Sequence, residues 1–205
     1  MRFFGPFGVY VVEDYKVGGS DLDGIAELYR RFIAGDDECF EAIVAQYYSG
    51  LVLYLYGLLD SYQDAEDIAQ DTLLALVISK PPFKGDDGFK TWLYRIAANR
   101  AKNHLRSKRR VVFTELTEDY AASKECDPEA LLIQTQENAN LYAVMKTLNK
   151  DYYQALYLRY IEELSLPEIS HIMRRSQRQV TDLLYRGRES LRKKMGIERS
   201  NDEDI

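Results

Sequence analysis

The sequence has few of the residues that metal sites, disulfide frameworks and turn-rich folds require. Its 205 residues include two cysteines, two histidines, five prolines and twelve glycines. Cys39 and Cys126 lie far apart and form no CxxC pair, and His104 and His171 are equally isolated. This spacing argues against a zinc site or any other metal site and predicts free thiols in a reducing compartment. The scarcity of proline and glycine favours helices over a turn-rich β fold.

The chain also lacks a long apolar run at its start. The opening MRFFGPFGVYVVEDY is interrupted by Gly5, Pro6 and Gly8, and Glu13 ends its apolar part. This segment is too short to span a bilayer and is not followed by the small-residue cleavage site of a signal peptide. We therefore expect a cytoplasmic protein with no membrane insertion, in which residues 1–21 form an extension of unknown role.

One stretch of the chain has a charge opposite to that of the whole. The formal net charge is −6, yet no acidic side chain lies between Asp87 and Glu115. At about 100° per residue, one face of a helix through this stretch carries cations, an amide and a hydroxyl. This basic stripe consists of Thr91, Arg95, Asn99, Lys102, Arg106 and Arg109. Thr91 is the expected N-cap of the helix.

Two interpretations of the basic stripe are open. A charged helical face is often only solvated, but a solvated face normally mixes both signs and this one does not. A row of cations at helical spacing matches the phosphates of a nucleic acid. The loop before it carries Phe83, Phe89 and Trp92, whose rings can offer stacking surfaces to bases. The combination favours nucleic-acid binding.

Helical periodicity of apolar residues begins at Leu22 and predicts three helices before the basic one. The turn AGDDECF separates the first from the second, with Asp36 or Asp37 as the expected N-cap. The second helix is expected to stop near residues 57–60. Asp64 is the expected N-cap of the third, whose sequence is DAEDIAQDTLLALVISK.

The third predicted helix carries a mixed acidic and apolar face. Asp67, Gln70, Asp71 and Leu74 occupy positions i, i+3, i+4 and i+7, so their side chains share one side. The helix dipole favours acidic residues near a helix start, which would account for a solvated face. The same face can instead dock a basic partner helix through an apolar centre and an acidic rim. The residues alone leave these alternatives equal.

Two capping boxes lie eleven residues apart near the end of the chain. They are Ser165-Leu166-Pro167-Glu168 and Ser176-Gln177-Arg178-Gln179. Two short capped helices joined by a tight turn form either a DNA-binding helix-turn-helix or a hairpin made only for packing. Many arginines and lysines lie in this part of the chain. Because such side chains bind DNA phosphates, they favour the DNA-binding interpretation.

The segment that follows Arg110, VVFTELTEDYAASKECD, lacks a sustained period and is mostly polar, which is typical of a linker. The predicted fold class is therefore all-α, with two small helical domains joined by a flexible linker. The domains are placed at residues 22–110 and 128–195, the linker at 111–127 and an acidic tail at 196–205.

Three strings, in this order and at this spacing, resemble the sigma-70 family of RNA polymerase sigma factors, in its small extracytoplasmic-function (ECF) group. They are DAEDIAQDTLLALV, FKGDDGFKTWLYRIAANRAKNHLRSKRR and LSLPEISHIMRRSQRQVTDLLYRGRESLRKK. The resemblance extends from Leu22 to Met195 and implies a sigma region 2 bundle followed by a sigma region 4 helix-turn-helix. It implies no catalytic residue, no enzyme activity and no cofactor, because the polymerase makes the bonds.

The resemblance also implies what each site contacts. Asp67, Gln70, Asp71 and Leu74 would bind the clamp helices of the polymerase β′ subunit, and the second domain would bind the β flap. The loop at 83–92 would capture an unstacked base of the promoter minus-ten element, and the helix after Ser176 would read the minus-thirty-five element. The expected DNA-binding residues are Phe83, Lys84, Phe89, Lys90, Trp92, Arg95, Asn99, Lys102, Arg106, Arg109, Arg174, Arg175, Arg178, Gln179, Thr181, Asp182 and Arg186. The family further implies an anti-sigma factor as a partner.

Two residues depart from the family pattern. Arg174 stands where the family usually has a glycine in the bend of the helix-turn-helix, a position suited to a positive φ. Asp182 stands where basic or small polar residues are commoner; it repels phosphate but can accept a hydrogen bond from a cytosine amine.

Two other classes of protein have to be considered. A helix-turn-helix transcriptional regulator with ligand-sensing amino-terminal helices would bind duplex DNA without polymerase. A nuclease would need metal-binding carboxylates, and Asp86 and Asp87 are the candidates, but no glycine-rich phosphate loop or cluster of His and Cys accompanies them.

Overall fold

The computed structural model describes residues 21–81, 88–114 and 136–196, and every element within these ranges is helical. The helices are α1 (Asp21–Ile33), α2 (Glu38–Leu59), α3 (Tyr62–Ser79), α4 (Phe89–Thr114), α5 (Gln136–Lys146), α6 (Lys150–Leu156), a π-helix (Tyr157–Ile161) that continues α6, α7 (Leu166–Met173) and α8 (Gln177–Met195). The predicted all-α class is confirmed. The predictions for residues 1–20, for Phe83 and Lys84, for residues 115–135 and for the tail after residue 196 lie outside the described residues.

The amino-terminal domain, α1–α4, is built around α2. Leu51, Val52 and Leu55 of this helix are completely buried, and α1, α3 and α4 all pack against it. A fully buried side chain of this size contributes about 1.5–3 kcal/mol relative to an exposed one. Because α2 is apolar on most of its sides, it takes the central position and the more amphipathic helices surround it.

The central helix α2 also passes a test for membrane spans by length and composition. It has 22 residues and a mean hydropathy of 1.4, but half of the tested window is buried inside the fold. The core helix of a soluble protein has the same properties, so this feature is weak support for a membrane span.

The junction between α2 and α3 corrects one predicted cap. Asp60 ends α2 in the left-handed region with a φ of 59°, and α3 begins directly afterwards. Ser61, rather than Asp64, is the N-cap, because its Oγ accepts a 3.2 Å hydrogen bond from the Asp64 backbone N–H. The Asp64 carboxylate instead faces α4, where Lys108 donates a 3.0 Å hydrogen bond to it.

Both ends of α4 differ from the predictions. The helix begins at Phe89, so Thr91 lies in its first turn and is not the N-cap. The helix ends at Thr114, four residues inside the predicted linker. No glycine or proline follows Arg110 in this segment, so nothing in the local sequence interrupts the helix there.

The carboxy-terminal domain, α5–α8, packs around Leu156, Ile169, Val180 and Leu184, which are all buried. Both predicted capping boxes are present, one at the start of α7 and one at the start of α8. Helix α7, the turn and α8 therefore form the predicted helix-turn-helix.

The two domains pack against each other, whereas the sequence predicted separate modules on a flexible tether. Their buried apolar residues form one continuous core. We call this contact the interdomain interface; α2 and α4 supply one side, and α6, the π-helix and α7 supply the other. Tyr153 and Tyr157 on one side and Tyr54 and Tyr94 on the other are almost completely buried within it. This contact joins segments far apart in sequence, and no local pattern indicated it.

Candidate nucleic-acid interface and protein-docking face

The predicted docking residues lie together on the outer face of α3. Asp67, Gln70, Asp71 and Leu74 are all exposed, and Leu74 retains 51% of its accessible surface. Ile68, Thr72 and Leu76 are buried on the opposite side and attach the helix to the core. The structure therefore presents the four residues to solvent as one surface.

The outer face of α3 extends further than the sequence prediction. Ile78 follows Leu74 by one helical turn, and its side chain is 74% exposed. The i, i+4 spacing from Leu74 is the signal in the sequence that places Ile78 on this face. Two neighbouring exposed aliphatic side chains beside two carboxylates make an apolar centre with an acidic rim, the composition of a protein-binding face.

The basic stripe of α4 divides into a covered half and an exposed half. Lys102 and Arg106, toward the carboxyl end, are exposed, whereas Arg95 and Asn99 are half-buried and Thr91 is buried. Thr91 Oγ1 donates a 2.8 Å hydrogen bond to Glu168 Oε1 of α7, and Arg95 Nη1 contacts His171 Nε2. The carboxy-terminal domain thus lies over the amino-terminal part of the stripe. The side chain of Arg109 is not among those described.

The predicted stacking residues Phe89 and Trp92 are not exposed. They retain 1% and 9% of their accessible surface, and both rings pack against Tyr29 of α1 at centroid distances of 5.2 and 5.3 Å. The apolar character of both rings favours this burial over exposure beside a basic helix. In this structure they fix the start of α4 to the core, so the prediction that they offer open stacking surfaces is corrected.

An ion-pair network attaches the exposed half of α4 to α3. Lys108 Nζ and His104 Nε2 lie 3.0 and 3.3 Å from the same oxygen of Asp64. Burial acts to raise the pKa of the Asp64 carboxyl, but the hydrogen bond and charge of Lys108, with the charge of His104, outweigh it and lower the pKa. Lys108 therefore has a structural partner, whereas Lys102 and Arg106 project from the exposed half of the stripe.

The turn between α7 and α8 has the positive φ that the family resemblance predicted at position 174. Arg174 ends α7 in the left-handed region, with a φ of 54° and a ψ of 48°. Arg175 follows and donates a 2.6 Å hydrogen bond to Asp151 of α6. Arg174 is exposed, so the side chain can tolerate this position while its backbone takes the conformation that glycine adopts most readily.

The first turns of α8 point their polar side chains to solvent. Arg178, Thr181, Asp182 and Arg186 are exposed, while Val180 anchors the helix in the core. Gln179 is also exposed, but its Oε1 accepts a 2.9 Å hydrogen bond from the Ser176 backbone N–H in the capping box of α8. The predicted base-reading positions are therefore accessible, although Gln179 already contributes to the cap of α8.

Within the described ranges, no group of three or more histidine, cysteine or acidic side chains could hold a metal ion. Cys39 is a buried free thiol.

Comparison with known families decides between the alternatives. Residues 43–111 match the model described as sigma-70 region 2, and residues 138–191 match the model of sigma-70 region 4. The chain is 31% identical to RNA polymerase sigma-H factor of Pseudomonas aeruginosa over 176 residues, covering 82% of this chain and 91% of that protein. It is 31% identical to the ECF RNA polymerase sigma factor SigW of Bacillus subtilis, covering 78% and 91% of the two chains.

The protein belongs to the sigma-70 family. Its relatives place it in the ECF group, and its function is that of an RNA polymerase sigma factor. The amino-terminal domain is sigma region 2 and the carboxy-terminal domain is sigma region 4, in the predicted order. The alternative of a stand-alone regulator with a ligand-sensing domain is not favoured.

Two solved structures share the fold of this sigma factor. One is CnrH in complex with the cytosolic domain of CnrY, with a TM-score of 0.59 and 21% identity, covering 84% of this chain and 97% of that one. The other is the sigma factor RpoE in complex with the anti-sigma factor NepR from Bartonella quintana, with a TM-score of 0.62 and 19% identity, covering 78% and 98%.

A cleft of about 320 Å³ lies between regions 2 and 4 of this sigma factor. Asn99 and Lys102 of α4 line one side, and Arg174 and Arg175 line the other. Four predicted DNA-binding residues from two domains thus line one cleft, together with apolar side chains such as Leu58 and Ile172. Arg175 is paired with Asp151, which keeps part of this positive charge engaged within the protein.

Proposed function

We propose that the outer face of α3 binds the clamp helices of the RNA polymerase β′ subunit through Asp67, Gln70, Asp71 and Leu74. The observation that supports this most directly is the exposure of all four residues, beside Ile78, on a helix whose other side is buried. Exposed apolar side chains rimmed by carboxylates suit a basic, amphipathic partner helix. The apolar contacts would supply affinity, and the carboxylates would supply orientation.

The test is a double substitution, Gln70→Ala with Asp71→Ala, measured as the affinity of the purified chain for core RNA polymerase. Because both side chains are exposed, the variant should fold normally and lose core binding by at least about tenfold. Glu41→Ala with Gln46→Ala is the matched control, since it also removes one exposed carboxylate and one exposed amide, but from α2. If the two double variants bind core polymerase with equal affinity, the outer face of α3 is not the polymerase-binding face.

We further propose that both domains bind promoter DNA. In region 2, Lys102, Arg106 and the remainder of the basic stripe would hold the phosphates around the melted minus-ten element, with Phe83, Lys84 and the start of α4 near the captured base. In region 4, the exposed start of α8 would place Arg178, Thr181, Asp182 and Arg186 on the minus-thirty-five element in the major groove.

We also infer an anti-sigma partner, contact of region 4 with the polymerase β flap, and action in the cytoplasm without enzyme activity of its own. The inference of an anti-sigma partner is supported by the two solved structures that share this fold, since each was solved in complex with another protein. In one of them that protein is named as an anti-sigma factor. Affinity capture from the native host under non-inducing growth, with Gln70→Ala and Asp71→Ala to exclude polymerase, should recover that partner. Recovery of polymerase subunits alone by the wild-type chain would count against an anti-sigma factor.

A further inference from the structure

The cleft between regions 2 and 4, which we call the interdomain cleft, has the size and the composition of a small-molecule site. Its volume of about 320 Å³ falls within the range of about 300–1,000 Å³ that such sites occupy, and the meeting of two domains is one of their common positions. The four exposed residues on the outer face of α3 do not line it, so it is separate from the proposed polymerase-binding face.

The lining of the interdomain cleft is positively charged. Its cationic side chains are Lys102, Lys150, Arg174 and Arg175, and its acidic side chain is Asp151. The Asp151 carboxylate is itself paired, because Arg175 Nη2 lies 2.6 Å from its Oδ2. The positive charge that remains favours an anionic ligand.

The cations of the cleft differ in how far the protein already uses them. Lys150 Nζ donates hydrogen bonds to the Gly57 carbonyl oxygen at 2.9 Å and to the Asp60 carboxylate at 2.5 Å. Lys102 and Arg174 are exposed, and within the described ranges their side chains form no ion pair or hydrogen bond. Two uncommitted cations, one from each domain, therefore line the same cleft and can bind one phosphate chain together.

Apolar side chains make up another part of the lining. Leu58 and Leu105 belong to region 2, and Ile172 and Met173 belong to region 4. A flat aromatic ring buries a large apolar area against such side chains, and the thioether of methionine makes favourable contacts with ring edges. The cleft can therefore bind a ring as well as an anion.

Two carboxamides complete the lining, those of Asn99 and Gln154. A carboxamide offers both donors and an acceptor, which are the groups that read the edge of a nucleobase. The Gln154 side chain is held in place, because its Nε2 donates a 2.6 Å hydrogen bond to Tyr54 Oη. Asn99 is half-buried on α4.

We propose that the interdomain cleft binds a free nucleoside polyphosphate. Its phosphates would lie between Lys102 and Arg174, its base would pack against Leu105 and Ile172, and Asn99 would contact the edge of the base. A DNA strand carries one negative charge per nucleotide, whereas a nucleoside di- or triphosphate concentrates several charges at one end. Two uncommitted cations in one cleft suit the concentrated charge better.

This inference goes beyond the proposed function, because it adds a small-molecule ligand to a protein for which only macromolecular partners are proposed. It does not depend on the α3 assignment. Because residues of both domains contact the ligand, a bound nucleotide would also stabilise the interdomain interface and raise the temperature of thermal unfolding.

The test is isothermal titration calorimetry of the full chain with ATP and with GTP, without Mg²⁺ so that only the protein neutralises the phosphates. Sodium tripolyphosphate carries the anion alone, and adenosine and guanosine carry the base alone. We expect saturable one-to-one binding of at least one triphosphate, at least about tenfold tighter than tripolyphosphate or the nucleoside, because the nucleotide uses the cationic and the apolar lining together.

A matched pair of double variants tests the cations. Lys102→Gln with Arg174→Gln removes the two uncommitted cations of the cleft and should weaken nucleotide binding by at least about tenfold. Arg106→Gln with Arg178→Gln is the control. It also removes one exposed cation from α4 and one from the helix-turn-helix, but neither of these residues lines the cleft. The control should bind the nucleotide as the wild type does.

A second pair tests the space for the base without changing the charge. Ala98 is half-buried on α4 and lines the cleft, so the larger side chain of Ala98→Leu should fill part of it and weaken nucleotide binding. Leucine and alanine both favour helices, so α4 is not weakened. Ala45→Leu is the control, because Ala45 is exposed on α2 and does not line the cleft.

Three results would overturn the inference. They are the absence of saturable binding of both triphosphates, equal losses in the two double variants, and binding of tripolyphosphate as tight as that of the nucleotide. A single-stranded tetranucleotide that binds as tightly as the triphosphate would also refute it, since the cleft would then hold DNA. If circular dichroism shows that one cleft variant is unfolded, the other decides. Core polymerase binding is measured with other variants, so the α3 assignment stands or fails separately.

Discussion

The two carboxylate oxygens of Glu168 accept hydrogen bonds from two different places, Thr91 of α4 and Ser165 at the start of α7. Oε1 accepts the 2.8 Å hydrogen bond from Thr91 of region 2, while Oε2 accepts bonds of 2.8 and 2.6 Å from the backbone N–H and the hydroxyl of Ser165. The same side chain therefore caps the first helix of the helix-turn-helix and attaches that helix to α4. The stability of α7 and the stability of the interdomain interface are therefore coupled through this residue.

Separate substitutions should distinguish these two tasks of Glu168. Thr91→Val removes only the interdomain hydrogen bond and should lower the free energy of unfolding by about 1 kcal/mol. Glu168→Ala removes that bond and the cap together and should lower it by about 2 kcal/mol. Urea unfolding followed by circular dichroism measures both. Equal losses for the two variants would contradict the double role.

Acidification should weaken the contribution of Glu168. Burial acts to raise the pKa of its carboxyl, but hydrogen bonds from Ser165 and Thr91 and the charge of Lys90 outweigh it, so the pKa lies below the ordinary 4.5. Because the folded pKa is the lower one, the stabilisation is complete above about pH 4.5 and disappears as the pH falls through the folded pKa. The difference in unfolding free energy between wild type and Glu168→Gln should therefore shrink below that pH. A difference that stays constant down to pH 3 would exclude this linkage.

Arg174→Gly should stabilise region 4. The residue has a φ of 54° in the turn of the helix-turn-helix, a conformation that costs a residue with a Cβ about 1 kcal/mol or more. Glycine removes this cost but gains entropy in the unfolded chain, so we expect a net stabilisation of about 0.5 kcal/mol, read from thermal unfolding. The control is Arg188→Gly, an exposed position inside α8, which should lose about 1 kcal/mol. Destabilisation by both changes would show that the Arg174 side chain has a contact role.

The exposed half of the basic stripe should carry the salt dependence of DNA binding. Replacing Lys102 and Arg106 with alanine removes two exposed cations from α4. The slope of log K against log salt concentration is negative. With single-stranded DNA, its magnitude should decrease by about 0.7 for every phosphate that is no longer neutralised. Fluorescence anisotropy across a range of salt concentrations measures this slope. Arg30→Ala with Arg31→Ala on α1 is the control, and an equal change of slope there would mean that only net charge matters.

The local features of this protein were predictable because short-range forces set them. Apolar residues at helical spacing indicated the helices, and Ser165 and Ser176 with their partners three residues later marked two helix starts that the structure confirms. The predicted faces of α3 and α8 are exposed for the same reason, since helix geometry alone places i, i+3 and i+4 on one side. The prediction of Asp64 as the N-cap of α3 was wrong, because Ser61, three residues earlier, supplies the capping oxygen.

The sequence by itself determined an all-α chain of the sigma-70 family, with its two regions in order and its candidate contact residues on defined helix faces. Only the tertiary structure decided that Phe89 and Trp92 are buried, that Glu162 has its partners in the other domain and that region 4 covers the start of α4. The physical reason is that these features depend on pairs such as Gly50 and Tyr157, which are 107 residues apart in the chain. Whether such pairs meet is fixed by the packing of whole surfaces, and periodicity and capping patterns describe only neighbours along one helix.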